Sequence, residues 1–232
     1  EINHTLFLMA RGVPQFQFNW LNGAGLNGDD GRSIAEAVRR YRAADQRKFI
    51  IQVPPGPNAA RCVRNARDTG LVEHALAWAK FCRPTANAPA VNTQLTIREV
   101  DASEREVFAA TAVTGFGMPA PMASWLTQLV GRPNWHVYMS FDGKEPAGAA
   151  ALCVEGDMAW LGIGATKPAM RKRGSQSALI ARRIADAAKF GAIYVTTETG
   201  VPQPGHPAPS YANILKAGFE VAYLRPNWTE AP

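Results

Sequence analysis

Ala165-Thr166-Lys167-Pro168-Ala169-Met170-Arg171-Lys172-Arg173-Gly174-Ser175-Gln176-Ser177-Ala178-Leu179 carries an apolar strand through a basic, glycine-bearing turn into a helix. The first turn of a helix leaves backbone N–H groups without internal partners at the positive end of the macrodipole, so main chain alone can hold a phosphate there. Arg171, Lys172 and Arg173 add charge at the same point. The bland alternative is a basic helix end solvated at the surface, where arginine and lysine commonly sit. The flanking segments weigh against it. Upstream, 158–166 reads as a strand containing Gly162 and Gly164, and glycine inside a strand marks a bulge or a close approach of backbone or ligand. Downstream, Ala178, Ala181, Ile184, Ala185 and Ala188 recur at helical spacing, a narrow small-residue face suited to lying on a sheet, and Gly191 ends the helix.

Other phosphate loops fit less well. A P-loop needs Lys-Ser/Thr after its last glycine, whereas Gly174 is followed by Ser175-Gln176. Gly162-Ile163-Gly164 lacks the third glycine of a dinucleotide fingerprint. The pyrophosphate of an acyl-coenzyme A remains as the ligand suited to this helix start. Thr166-x-Pro168-x-x-Arg171-x-x-Gly174-x-Gln176-Ser177-Ala178-Leu179 resembles the coenzyme A motif of the GCN5-related N-acetyltransferase (GNAT) family, departing from it at Gln176, where the usual residue is small. The resemblance implies acetyl-CoA as acyl-donor cosubstrate and no metal. It implies pyrophosphate contacts from Arg171, Lys172, Arg173, Gly174, Ser175, Gln176 and Ser177, and main-chain contacts to the pantetheine arm along a splayed strand at Gly164, Ala165 and Thr166.

The β-branched stretch 192–199 follows the helix after a short turn, so it pairs in parallel with 158–166 through one right-handed crossover. A proline-rich loop, 201–209, leads to a short helix over 210–217 with Ser210 as N-cap, closed by Gly218, and then a strand over 220–228. Ser210-x-x-Asn213-x-x-x-x-Gly218-Phe219 is similar to the second GNAT motif, which makes Asn213 a coenzyme contact. Attack of an amine on the thioester needs a base for the amine proton and a donor for the departing thiolate. Glu198, at the end of the strand after the coenzyme helix, is the base candidate. The family's frequent tyrosine acid falls on Ile214, leaving Tyr211, almost one turn earlier, as the acid candidate, while His206 reads as a solvated loop histidine.

At 232 residues with 47% hydrophobic and 19% charged content, the chain has material for one large or two modest cores. No run reaches the ~18 apolar residues of a membrane helix. Cys62, Cys82 and Cys153 are scattered without C-x-x-C spacing, which points to free thiols in a reducing cytoplasm. The net charge of +6 suits an anionic partner, but its basic residues are spread out and the aromatics form no stacking platform, so nucleic acid is disfavoured.

A turn-rich stretch, 84–92, divides the chain into 1–83 and 93–232. Before it, helix 33–44, strand 48–53, helix 58–67 and strand 71–81 echo the order of the second half. The second half is expected to hold strand 94–100, helices 102–114 and 122–130, strand 135–141 closed by an Asp142-Gly143 turn, and strand 147–154. The expected fold is α/β with a mixed sheet, the GNAT acyl-CoA N-acyltransferase fold in two units, the first degenerate and without a pyrophosphate loop. The expected activity is direct acetyl transfer to the amine of a small molecule. Loops 14–23, 115–121 and 200–209 are the candidates for acceptor choice. An acyl-CoA sensor with little activity is the second reading, as Ile214 would allow, and a basic nucleic-acid module the third.

Overall fold

The computed structural model describes residues 1–11, 13, 16–205 and 207–231, with only the backbone of Gln17; His206 lies outside the described residues. In chain order the elements are β1 (Leu6–Met9), β2 (Asn19–Asn22), α1 (Arg32–Ala43), β3 (Ile50–Gln52), α2 (Ala59–Asp68), β4 (Leu71–Glu73), β5 (Trp78–Pro84), β6 (Thr96–Glu99), α3 (Arg105–Phe116) and α4 (Ala123–Leu126). There follow β7 (Trp135–Asp142), β8 (Glu145–Glu155), β9 (Met158–Thr166), α5 (Ser175–Lys189), β10 (Tyr194–Gly200), α6 (Pro209–Lys216), β11 (Glu220–Arg225) and β12 (Asn227–Glu230).

Two compact units result, and neither is a continuous stretch. The first takes 1–80, 200–206 and 222–232; the second takes 81–199 and 207–221. A cut at 83 followed by a linker over 84–92 therefore does not describe the packing. Pro226, which has no N–H to give a ladder, interrupts the expected strand 220–228. The residues before it form β11 in the second sheet, and those after it form β12, paired antiparallel with both β3 and β4. The expected strand 71–81 is likewise two strands, β4 and β5, separated where Leu76 N–H donates to His74 Nδ1.

In the first unit the sheet order is β1-β2-β3-β12-β4. Helix α1 presents Ile34, Ala37, Val38 and Tyr41 at helical spacing to a core that includes Leu21, Phe49, Ile51 and Trp228. Tyr41 stacks on Phe49 at 4.4 Å and donates its hydroxyl to the Leu8 carbonyl at 2.7 Å, so its polar tip is satisfied inside.

The second sheet runs β11-β5-β10-β9-β8-β7-β6. Residues 147–152 of β8 are buried one after another, which requires cover on both faces, and α3 and α5 both pack on β8 and β9. The two-residue turn between β7 and β8 is Gly143-Lys144, with Asp142 still in register opposite Glu145. Helix α3 runs on through Gly115 and Phe116, so only 117–121 of the expected loop lies outside it. A Cβ on Gly115 would stand 2.8 Å from that of Ala165, close enough to explain the glycine. The three cysteines are free, and burial pushes the Cys62 thiol up to about 11.

Candidate active site

After β9 the chain makes a short 3₁₀ turn at Pro168–Met170 and then enters α5 through alternating conformations: Arg171 is extended, Lys172 is left-handed at φ 64°, and Gly174, the N-cap, is left-handed at φ 83°. The backbone N–H groups of 172–177 have no protein partner among the described residues. Successive amides in such turns converge into an anion-binding concavity, here at the positive end of a helix dipole. Gly174 is also tight. A side chain there would add the left-handed penalty and would press on Thr93 at 3.2 Å, whose hydroxyl donates to the Arg173 carbonyl at 2.8 Å.

The side chains expected at this turn are not equivalent. Arg171 is exposed and donates to the Gly115 carbonyl at 3.3 Å, and Lys172 is exposed. Arg173 instead swings to the β7–β8 hairpin, where it pairs with Asp142 at 2.7 Å; that hydrogen bond holds the Asp142 carboxyl below its usual range. Ser175 points inward, its hydroxyl 2.7 Å from that of Ser140 and within 3.3 Å of Thr166 Oγ1, which leaves its N–H for a ligand. Ser177 is half-buried.

Gln176 accounts for its own departure from the small-residue consensus. Its Nε2 donates to Ser210 Oγ at 3.0 Å, and its Oε1 accepts from Asn213 Nδ2 at 2.7 Å, so the side chain fastens the α5 turn to α6. Ser210 is thus inside α6 and not its N-cap. The helix begins at Pro209, whose fixed φ suits the first helical position, with Ala208 as cap. Tyr211 is half-buried and meets Phe81 edge to face at 5.0 Å, while Ile214 is buried in the core.

Strands β9 and β10 pair in parallel only where 158–160 face 194–196, although β9 continues to Thr166 and β10 to Gly200. At their parting Thr197 Oγ1 donates to the Leu161 carbonyl at 2.8 Å. Glu198 lies just beyond, half-buried on β10, and Gly164, Ala165 and Thr166 lie on the diverging part of β9. The opposite side of β9 is irregular too. Ala149 faces Ala165 and Ala151 faces Gly162, so Ile163 and Gly164 together oppose the single residue Ala150. This is a β-bulge, with Ile163 at φ 53°, a conformation that a β-branched residue adopts only under constraint. Gly162 makes room for the Trp160 indole, which a Cβ would meet at 2.3 Å.

Neither a protein-family model nor a curated protein matches the sequence. Solved structures do match. A GCN5-related N-acetyltransferase from Kribbella flavida is similar over 100% of this chain and 90% of that one, with a TM-score of 0.67 at 13% identity. A functionally unknown conserved protein from Staphylococcus epidermidis is similar over 99% and 92%, with a TM-score of 0.63 at 8% identity. A tandem GNAT protein from the clavulanic acid biosynthesis pathway is similar over 95% and 77%, with a TM-score of 0.59 at 17% identity. This chain has the GNAT fold. It comprises two GNAT-like units, the arrangement of the tandem protein.

The first GNAT-like unit has its own glycine-rich helix entry, which the sequence reading passed over: Gly23-x-Gly25-x-x-Gly28 lies between β2 and α1, and β3 returns parallel to β2. Its anion position is filled from within. The carboxylate of Asp29, fully buried, accepts from Gly25 N–H at 2.8 Å, Gly31 N–H at 3.1 Å and the Ser33 hydroxyl at 2.9 Å. Among the described residues, no three His, Cys, Asp or Glu side chains gather as metal ligands, and no helix is long and apolar enough to cross a membrane.

Proposed function

We propose that the chain is an acetyl-CoA-dependent N-acetyltransferase that acts on the amine of a small molecule. The observation that carries this reading is the run of amides over 172–177 that have no partner among the described residues, standing at the end of a strand that diverges from its parallel neighbour. A pyrophosphate fits those donors, and an amide-bearing arm fits between β9 and β10 where they diverge.

Bound there, acetyl-CoA supplies an activated acyl group on a thiol leaving group. The main-chain N–H groups of Gly174, Ser175, Gln176 and Ser177, with Arg171 and Lys172, hold the pyrophosphate; Arg173 contributes main chain and long-range charge, because its side chain is engaged by Asp142. The backbone of Gly164, Ala165 and Thr166 orients the arm, and Asn213, held by Gln176, borders it from α6. Glu198 takes the proton from the attacking amine, directly or through water. A main-chain N–H of the β9 bulge faces the carbonyl that gains negative charge, and Tyr211 is the protic α6 side chain available to the departing thiolate.

Titration calorimetry with acetyl-CoA, followed by thiol release across a panel of small amines, tests this. Binding with amine-dependent release of free CoA is the expected result. No binding by the folded protein would refute the coenzyme reading. Binding without release from any amine would favour a sensor, the reading that the buried Ile214 at the usual tyrosine position supports.

A further inference from the structure

Arg183 stands in the middle of α5, 2% exposed, where the buried stripe of the helix is otherwise made largely of small and aliphatic residues. Among the described residues no carboxylate pairs with it. Its partners are carbonyls: Nε donates to Leu179 at 3.0 Å, and Nη1 donates at 2.9 Å both to Ala151 of β8 and to Gly162 of β9. Those two residues face each other at the edge of the β8–β9 bulge, and Nη2 lies against Gly164, 3.6 Å from where its Cβ would be. Burial of this cation pushes its pKa down to about 9. An unpaired buried charge is costly, and an aliphatic side chain would fill the position without that cost, so the guanidinium needs a reason to be there.

The peptide plane supplies one. In a trans peptide the C=O and the following N–H point in opposite directions, so fixing the Gly162 carbonyl on Arg183 aims the Ile163 N–H away from the guanidinium. The same clamp holds Ile163 in its left-handed conformation. We propose that Arg183 is a positioning residue for acyl transfer, clamping the β9 bulge so that its main-chain N–H meets the thioester carbonyl. This rests on the acetyltransferase reading and goes beyond it: neither the coenzyme motif nor the candidate acid and base includes Arg183.

The test uses CoA and acetyl-CoA labelled with ¹³C at the thioester carbonyl, read by titration calorimetry and isotope-edited infrared difference spectra. In the unaltered chain the bound carbonyl stretch moves to lower wavenumber, as hydrogen bonding polarises it. Arg183→Met is expected to bind CoA within about threefold of the parent, since the α5 amides are untouched, while the carbonyl stretch returns to its value in water. Arg183→Lys is expected to keep part of the shift. Should Arg183→Met not fold, Arg183→Gln, with one amide donor and no charge, is read in the same way. A folded Met or Gln variant with the full parental shift would overturn the proposal. So would a parent that binds acetyl-CoA without any shift, an outcome that leaves coenzyme binding intact. A parent that binds neither CoA nor acetyl-CoA would overturn the underlying reading as well.

Discussion

Arg171 and Arg173 flank Lys172 symmetrically in sequence, yet the structure gives them different work, and that difference can be measured. Acetyl-CoA at 100 times its dissociation constant adds about 2.7 kcal/mol to the native state. For a chain of this size that corresponds to a rise in Tm of roughly 5–11 °C. Arg171→Glu changes the local charge by two units opposite a pyrophosphate carrying about two negative charges. At ~6 Å in a water-like dielectric each unit pair is worth about 0.7 kcal/mol, so the reversal costs ~2.8 kcal/mol, close to a hundredfold in affinity. At the same ligand concentration the variant would sit near its own dissociation constant, and its stabilisation would fall to about 0.4 kcal/mol, a shift of one or two degrees. Arg173→Gln with Asp142→Asn removes an ion pair, keeps the net charge and leaves the amide turn in place. Its affinity should change by less than about threefold, the scale of an exposed pair. Differential scanning fluorimetry with and without acetyl-CoA, with calorimetric dissociation constants, reads both. A full shift in Arg171→Glu together with a lost shift in the Arg173 and Asp142 double variant would refute the assignment of roles.

Gln176→Ala deletes two part-buried hydrogen bonds between α5 and α6, so unfolding free energy from urea titration should fall by about 1–3 kcal/mol. Gly162→Ala drives a methyl into the Trp160 ring; a loss of about 1–3 kcal/mol and an altered tryptophan emission are expected, and wild-type values for both would contradict the close contact. Asp29→Ala leaves the Gly25 and Gly31 amides and the Ser33 hydroxyl buried without their acceptor, so denaturation should show a loss of at least ~2 kcal/mol, with acetyl-CoA affinity unchanged.

The α5 entry was legible because glycine, basic residues and helix start are local features, and β9 begins and ends where its composition places it. The interior face of α5 was legible only in part. Of the residues that apolar periodicity selects, Ala178 and Ile184 are buried, Ala181 and Ala185 are half-buried and Ala188 is exposed. The buried stripe also takes in Ser175, Leu179, Ile180, Arg183, Asp186 and Ala187. A periodicity argument assigns an arginine to solvent, and only the carbonyls of a distant bulge make it an interior residue. Pro226 marks the break between two strands although composition carries one strand through it, and Pro209, which reads as the end of the proline-rich loop, is the first residue of α6. Gly162 and Gly164 announced a bulge without locating its strained residue, Ile163, because the register belongs to the partner strand β8. Asp29 was passed over because its acceptor role depends on amides that only the folded turn assembles.

Strand β12 has a consequence for the order of events at the ribosome. Domains usually fold as they emerge, the N-terminal one first. Here β3 and β4 leave the exit tunnel early but are not neighbours in their sheet, and the strand between them is made from 227–230. Until then Trp228 is missing from the first core, and two strand edges stand open that would pair with any suitable chain. The nascent first half therefore waits for translation of the second, the interval in which chaperone engagement would matter most.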